Sequence, residues 1–281
     1  MESRMPQEFR CRILYSDIDG TLLNSRHHVS RGTRERILEL DRRGIPFILV
    51  SARMPEGVRV VQRELGIHRP IICYSGGLIL DENGQELYSR RMELGTAAKI
   101  RDVLKERFPG ICCNAYGGSL WVVEDNRDPR VVREEGIVKG KALCGDMREV
   151  FAGDGGIHKF LLMGEPEDIR QAEEFLRDGY PGLTVLRSNE YYLEVMDGAV
   201  DKAEGVRFLC GHYGIPAEEA AAFGDGENDV GMLRAVKYGF AMGNASKSVR
   251  EQAAFVTLTN DEEGILEAIR ELQQGKTKGN G

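Results

Sequence analysis

Short apolar runs alternate with helix patterns over the first 80 residues, and this alternation restricts the fold more than any other feature. The apolar runs cover residues 13–15, 45–50 and 70–74, and a glycine, Gly44 or Gly66, ends each of the helix patterns between them. Unbroken apolar runs of this kind are typical of strands that are covered on both faces. Strands that alternate with helices predict a parallel sheet with right-handed crossover connections.

The alternation stops near residue 80 and resumes near residue 197. Strands are predicted again at 219–223, 238–242 and 255–257, after a helix that begins at Lys202. The segment between the two halves mixes strand and helix patterns around a loop-rich, charged stretch. We therefore predict an α/β protein with a Rossmann-like parallel-sheet core and an inserted α+β domain. The core is assigned to residues 1–80 plus 197–281, and the insert to residues 81–196.

Composition and charge exclude several classes of function. Of the 281 residues, 30% are charged, and the net charge of −7 argues against a surface that binds nucleic acid or an anionic membrane. No apolar run approaches the roughly 18 residues of a membrane-spanning helix. Residues 1–10 lack the apolar core of a signal peptide, and the tail, 275–281, is expected to fray. The six cysteines show no CxxC spacing, so we expect reduced thiols in a cytoplasmic protein.

Two carboxylates follow the first predicted strand directly. Asp17 and Asp19 are two residues apart, so their side chains leave an extended backbone on the same side. Gly20 comes next and allows the chain to turn sharply. Two carboxylates this close repel each other unless a positive charge lies between them, and a hard cation such as Mg²⁺ suits ligands that are all oxygen. Taken alone, the segment is equally consistent with a simple turn at the end of a strand.

Polar residues also follow two other predicted strands. Ser51 comes after the second strand, and Asp225 and Asp229 come after the strand at 219–223. In parallel sheets, ligands bind at the carboxyl ends of the strands. We therefore expect these side chains to form one site with the first carboxylate pair.

Four motifs in this order resemble those of the haloacid dehalogenase superfamily of phosphohydrolases. The large insert and the run 239–245 are similar to the Cof-type branch of class IIB, which carries a C2B cap, and the resemblance extends over essentially the whole chain. Three positions depart from that branch: Ser51 stands where threonine is usual and keeps the hydroxyl, Ala52 where glycine is usual, and Ser75 where asparagine is usual. The middle segment matches the branch only in its pattern of strands and helices. The motifs are Asp17-Ile18-Asp19-Gly20-Thr21, Ser51, Lys202 and Gly224-Asp225-Gly226-Glu227-Asn228-Asp229.

The resemblance implies a catalytic role for three residues. Asp17 is the expected nucleophile, which attacks phosphorus and forms an aspartyl phosphate. Asp19 is expected to protonate the leaving oxygen and then to activate water. Lys202 is expected to offset the negative charge of the site and to contact the phosphate. Four aspartates bring a charge of about −4, and Mg²⁺ with Lys202 returns about +3, so both cations are needed for a phosphate dianion to approach.

The resemblance also implies a set of binding residues. The expected Mg²⁺ ligands are the Asp17 carboxylate, the Asp19 backbone carbonyl and the Asp225 carboxylate. The phosphoryl group is expected to contact Ser51, Ala52 and Asn228 in addition to Lys202. Asp229 is expected outside the direct ligands, where it would hold Lys202 or the waters of the metal.

These roles lead to one preferred function and two alternatives. The preferred function is a Mg²⁺-dependent phosphatase of a small phosphorylated metabolite, such as a sugar phosphate. The first alternative is a phosphotransferase or sugar phosphomutase on the same scaffold, and the second is a non-catalytic phospho-acceptor or regulatory binding module. We expect a monomer or weak homo-oligomer with no nucleic-acid or membrane partner, in which the insert closes over the site and selects the substrate.

Overall fold

The computed structural model describes residues 11–138 and 140–275. The expectations for residues 1–10 and for the end of the tail, 276–281, lie outside these residues. Within them the chain folds into two compact units. The first contains residues 11–52, 58–87 and 201–275, and the second contains residues 53–57 and 88–200. The division into domains at 80 and 197 stays a prediction.

The elements are numbered in chain order. The strands are β1 (Ile13–Ser16), β2 (Phe47–Val50), β3 (Ile71–Cys73), β4 (Leu78–Leu80), β5 (Glu86–Ser89), β6 (Met92–Glu93), β7 (Cys112–Gly117), β8 (Leu120–Val123), β9 (Leu143–Cys144), β10 (Gly156–Ile157), β11 (Lys159–Met163), β12 (Leu183–Asn189), β13 (Tyr192–Asp197), β14 (Ala220–Gly224), β15 (Tyr238–Ala241) and β16 (Phe255–Val256). The helices are α1 (Arg31–Arg42), α2 (Pro55–Leu65), α3 (Leu94–Arg107), α4 (Pro129–Val138), α5 (Met147–Val150), α6 (Pro166–Gly179), α7 (Lys202–Tyr213), α8 (Val230–Arg234), α9 (Lys247–Gln252) and α10 (Gly264–Gln274).

The first unit is built on an eight-stranded sheet with the order β16-β15-β14-β1-β2-β3-β4-β5. The six strands from β16 to β3 are parallel, and β4 pairs antiparallel with β3. The central strands β1, β2 and β14 are buried at every position, as their unbroken apolar runs predict. The α/β fold class with a parallel core sheet is therefore confirmed. Strands β4 and β5 were not predicted: the three apolar residues of β4 are too few to distinguish from the end of β3, and β5 has no apolar run.

The ends of two helices follow from local hydrogen bonding. The Ser30 hydroxyl caps α1 by accepting a hydrogen bond from the Thr33 N–H at 3.1 Å. The Asp201 carboxylate caps α7 by accepting from the Ala203 N–H at 2.9 Å, and Gly214 ends α7 in the left-handed conformation. Because Asp201 fixes where α7 begins, it also fixes the position of the next residue, Lys202.

The second unit contains a six-stranded sheet with the order β12-β13-β11-β7-β8-β9, and β6 and β10 form a separate two-stranded ribbon. Apolar residues from helices α3 and α6 pack against one face of this sheet. The predicted loop-rich stretch before β11 also contains α4 and α5. The pattern did not indicate α4, because its apolar residues are not spaced for one helical face: Val131 is buried, whereas Val132 and Ile137 are exposed. In the part of the chain that the structure describes, no helix is long and apolar enough to cross a bilayer.

A buried polar network crosses the sheet of the second unit. The Asn114 side chain, which is fully buried, accepts a hydrogen bond from Trp121 Nε1 at 3.0 Å and donates one to the Leu161 carbonyl at 2.9 Å. Buried polar groups that lose such partners destabilise the fold strongly. Asn114 therefore connects three strands of this unit.

We expect Asn114→Ala to destabilise the second unit by about 2 kcal/mol, because Trp121 Nε1 and the Leu161 carbonyl lose their partner. Trp121 belongs to this unit and is the single tryptophan of the chain, so its fluorescence reports the unfolding of this unit. Urea unfolding followed by that fluorescence should show a lower midpoint. Asn126→Ala, at an exposed position, should leave the midpoint unchanged. Equal midpoints for both variants would contradict the role of the network.

Candidate active site

The central strand β1 carries the nucleophile predicted from the sequence, and its two neighbours carry two other motifs. β1 lies between β14 and β2, and Asp17, Asp225 and Ser51 each follow one of these three parallel strands directly. The Asp17 N–H extends the pairing by donating to the Phe223 carbonyl at 3.0 Å. The parallel register therefore places these three residues at the same edge of the sheet.

The Lys202 ammonium group joins two carboxylates at this edge. Its Nζ lies 2.6 Å from Asp17 Oδ1 and 2.6 Å from Asp229 Oδ1. Lys202 and Asp229 are each 1% exposed, and Asp17 is 7% exposed. Buried charges are tolerated only when they are paired and hydrogen-bonded, so these three side chains depend on one another.

Both carboxylate oxygens of Asp229 accept hydrogen bonds. While Oδ1 contacts the ammonium group of Lys202, Oδ2 accepts hydrogen bonds from the backbone N–H groups of Asp225 and Gly226 at 3.0 and 2.9 Å. Asp229 therefore holds both the lysine and the backbone of its own turn. This contact with Lys202 is one of the two positions that the sequence analysis considered for Asp229.

Asp225 is oriented by two residues that the sequence analysis did not assign to the site. Thr21 Oγ1 donates to Asp225 Oδ1 at 2.6 Å. The Asn244 side-chain amide lies 3.5 Å from Asp225 Oδ2 and donates to the Gly20 carbonyl at 2.8 Å. Thr21 belongs to the first motif, and Asn244 lies within the run 239–245 that is similar to the Cof-type branch. The residue types alone did not indicate that either side chain contacts Asp225.

Two glycines make room for the carboxylates. Gly20 has a φ of +78°, and a Cβ there would stand 2.8 Å from Asp225 Cγ. A Cβ on Gly224 would stand 2.7 Å from Asp229 Cγ. Any larger residue at either position would displace a carboxylate of the site.

The cluster has too little positive charge for its carboxylates. Burial raises the pKa of Asp17 to about 8, and the charges of Asp229 and Asp19 act in the same direction against Lys202. Burial also raises the pKa of Asp225 above its ordinary value. Burial lowers the pKa of Lys202, but the charges of Asp17 and Asp229 outweigh it, so that the pKa lies above its ordinary value. A further cation would return Asp17 to its charged form at neutral pH.

The carboxylates themselves form a possible metal site. Oxygen atoms of Asp17, Asp225 and Asp229 lie within 4.8 Å of one another, and no other such group occurs among residues 11–138 and 140–275. Asp229 already accepts three hydrogen bonds of 3.0 Å or less, whereas Asp17 and Asp225 each accept one such bond, so the oxygens best placed for a metal belong to Asp17 and Asp225. An oxygen-only donor set suits Mg²⁺.

The other predicted site residues lie in the same unit. Ser51 is buried, and Ala52 and Asn228 are half-buried in turns that follow β2 and β14. Asp19 is exposed, unlike Asp17. The acid/base role expected of Asp19 requires contact with substrate and water, and an exposed side chain is compatible with it.

The family comparison agrees with these features. The family model of haloacid dehalogenase-like hydrolases matches residues 14–269. A relative from Haemophilus influenzae is 35% identical over 260 residues, which are 92% of this chain and 97% of its own. A Bacillus subtilis relative, named 5-amino-6-(5-phospho-D-ribitylamino)uracil phosphatase YwtE, is 28% identical over 284 residues, 92% of this chain and 97% of its own.

A solved structure of similar shape belongs to a haloacid dehalogenase-like hydrolase from Bacteroides thetaiotaomicron. It is 29% identical, has a TM-score of 0.83, and the match covers 93% of this chain and 99% of that one. The predicted enzyme class, a phosphoric monoester hydrolase, is confirmed by these relatives. The chain belongs to the haloacid dehalogenase-like hydrolases, as its four motifs predicted.

Proposed function

We propose that this phosphatase is Mg²⁺-dependent and hydrolyses a small phosphorylated metabolite, such as a sugar or polyol phosphate, through an aspartyl-phosphate intermediate. The observation that carries the proposal is the position of Lys202, 2.6 Å from both Asp17 and Asp229. That contact holds one oxygen of the proposed nucleophile. The other oxygen has no hydrogen-bond partner among residues 11–138 and 140–275.

The proposed metal fits the donor set described above. Asp17 and Asp225 would hold it through carboxylate oxygens, together with the Asp19 backbone carbonyl that the family resemblance implies. When bound, Mg²⁺ supplies positive charge that a phosphate dianion needs in order to approach a carboxylate. Thr21 supports the arrangement by fixing Oδ1 of Asp225, while Oδ2 has only the long 3.5 Å contact with the Asn244 amide.

The first chemical step belongs to Asp17 and Asp19. A carboxylate oxygen of Asp17 forms a bond to phosphorus while the bond between phosphorus and the ester oxygen breaks. The leaving oxygen takes a proton from Asp19 and departs as an alcohol. Lys202, Ser51 and Asn228 are the proposed donors to the phosphoryl oxygens.

The second step regenerates the enzyme. Asp19, now ionised, takes a proton from a water molecule, whose oxygen attacks phosphorus. The acyl phosphate bond breaks, so that inorganic phosphate leaves and the Asp17 carboxylate is restored. The exposure of Asp19 supports this role, because the same group has to meet both the leaving alcohol and water.

The substrate class rests on the chemistry of the site and on one relative. The site offers groups for a phosphate monoester, and the YwtE relative is named for a substrate with a phosphorylated ribityl chain. A panel of glucose 6-phosphate, ribose 5-phosphate, ribitol 5-phosphate and glycerol 3-phosphate, with p-nitrophenyl phosphate as an aryl reference, tests the proposal through phosphate or nitrophenol release. If the wild type released neither product in Mg²⁺ from any member of the panel, the proposed function would fail.

Asp17→Asn should lower kcat by about 10⁴-fold or more for every substrate of the panel, because an amide cannot serve as the nucleophile. The variant should still unfold cooperatively, since the amide keeps the size of the carboxylate. Asp261→Asn makes the same chemical change in an exposed 3₁₀ turn and should keep wild-type kinetics. Near-normal turnover by Asp17→Asn would rule out the covalent route.

Chelation with EDTA should abolish activity, and added Mg²⁺ should restore it. Asp225→Asn should raise the Mg²⁺ concentration for half-maximal activity by more than about a hundredfold, and Thr21→Val by about tenfold, because each disturbs the same ligand. Thr33→Val, at a buried threonine of α1, is the matched control and should leave the Mg²⁺ titration unchanged. Full activity after thorough chelation would contradict the metal requirement.

Asp19→Asn should affect substrates according to their leaving groups. A sugar or polyol alkoxide needs a proton as it departs, whereas nitrophenolate needs little protonation. In single turnovers, the rate of enzyme phosphorylation should therefore fall by about 10²-fold or more with a sugar phosphate and by much less with p-nitrophenyl phosphate. Equal losses with both substrates would remove the general-acid assignment.

A further inference from the structure

The turn after β3 has an unusual backbone. Tyr74 and Ser75 have φ values of +50° and +55°, and Gly76 follows at +103°. Glycine adopts such values without strain, but residues with a Cβ rarely do, and serine is not among the types that tolerate them best. Strained residues of this kind persist where the surrounding structure enforces them, and they are concentrated at functional sites.

The Ser75 side chain adds a second unfavourable feature. Its hydroxyl oxygen is buried and has no hydrogen-bond partner in the described residues. The residue as a whole is 5% exposed. A buried hydroxyl without a partner destabilises the folded state, and such groups in native structures require an explanation.

The turn lies between two parts of the proposed active site. On one side, the Ser75 N–H donates to the Ser51 carbonyl at 2.9 Å, which ties the turn to the segment proposed to bind phosphate. On the other side, a Cβ on Gly76 would stand 2.8 Å from the Asp201 carbonyl carbon, so the turn packs against the first residues of α7. Lys202, the next residue, contacts Asp17.

Both unfavourable features of Ser75 depend on the residue type at this position. Glycine would remove both, and alanine would remove the unpaired hydroxyl. Asparagine would tolerate the left-handed conformation better than serine does. A residue that destabilises the folded state in two ways is expected at positions where it contributes to function.

We propose that Ser75 is a substrate-contacting residue whose hydroxyl hydrogen-bonds to an oxygen of the non-phosphoryl part of the substrate. This inference rests on the proposed function. Adjacent strands are about 4.8 Å apart, so the end of β3 lies about 10 Å from the end of β1, where Asp17 is found. A phosphoryl group between Asp17 and Ser51 spans the ends of β1 and β2. Ser75 lies one strand further along, where a hydroxylated leaving group would extend.

The test compares stability with kinetics in the full-length Mg²⁺-loaded protein. Ser75→Ala should raise Tm by about 2 °C, because the unpaired hydroxyl is gone. It should lower kcat/KM by about five- to tenfold for the sugar or polyol phosphate that the wild type hydrolyses fastest, the loss expected for one neutral hydrogen bond. The value for p-nitrophenyl phosphate, whose leaving group carries no hydroxyl, should not change.

Two further variants keep the test decisive. Ser75→Gly also relieves the backbone, so it should fold even if the alanine variant does not, and it should show the same selective loss of kcat/KM. Ser30→Ala is the control: it removes a hydroxyl that caps α1, so Tm should fall while the kinetics stay unchanged.

Each other result has a distinct meaning. A lower Tm in both Ser75 variants would show that the hydroxyl has a structural partner and would overturn the inference. An unchanged kcat/KM for the sugar phosphate, or an equal loss for the aryl phosphate, would also overturn it, while the wild-type activity would leave the proposed function intact. A wild type without phosphatase activity would instead refute the proposed function.

Discussion

The contact of Lys202 with Asp17 and Asp229 is the interaction on which the rest of the site depends. At 4 Å and an effective dielectric constant of about 20, two unit charges interact by about 4 kcal/mol, and these groups are closer and buried. Loss of the ammonium group would leave two carboxylates facing each other without solvent. The site therefore requires that the segments carrying Asp17, Lys202 and Asp229 are positioned accurately relative to one another.

The parallel sheet positions these segments accurately. β1 and β14 are paired in fixed register, and Asp17 continues the pairing by its own hydrogen bond to Phe223. The cap at Asp201 determines where α7 begins and thus where Lys202 stands. Asp229 then holds the turn after β14 through two backbone N–H groups. Regular secondary structure fixes where each segment starts. Side-chain hydrogen bonds then set the final positions of the site residues.

The sequence predicted those parts of the molecule that depend on periodic patterns. The apolar runs located the core strands, and the polar residues directly after them indicated the site, because both are local properties of the chain. Contacts between residues that are distant in sequence produce no local pattern. The residue types of Thr21 and Asn244, for example, do not indicate a hydrogen bond to Asp225. Helix α4 was missed for a related reason, since its exposed apolar residues break the helical pattern.

The core unit therefore combines features that oppose each other energetically. Buried carboxylates around one ammonium group, together with the strained turn at Ser75, make the folded state less stable, whereas the fully buried strands β1, β2 and β14 stabilise it. A site that holds charge ready for a substrate cannot also be at its most stable in the free protein. On this view a bound cation acts on both properties. It would supply the charge that the proposed attack by Asp17 requires, and it would relieve the imbalance that raises the pKa of that carboxyl group in the free site.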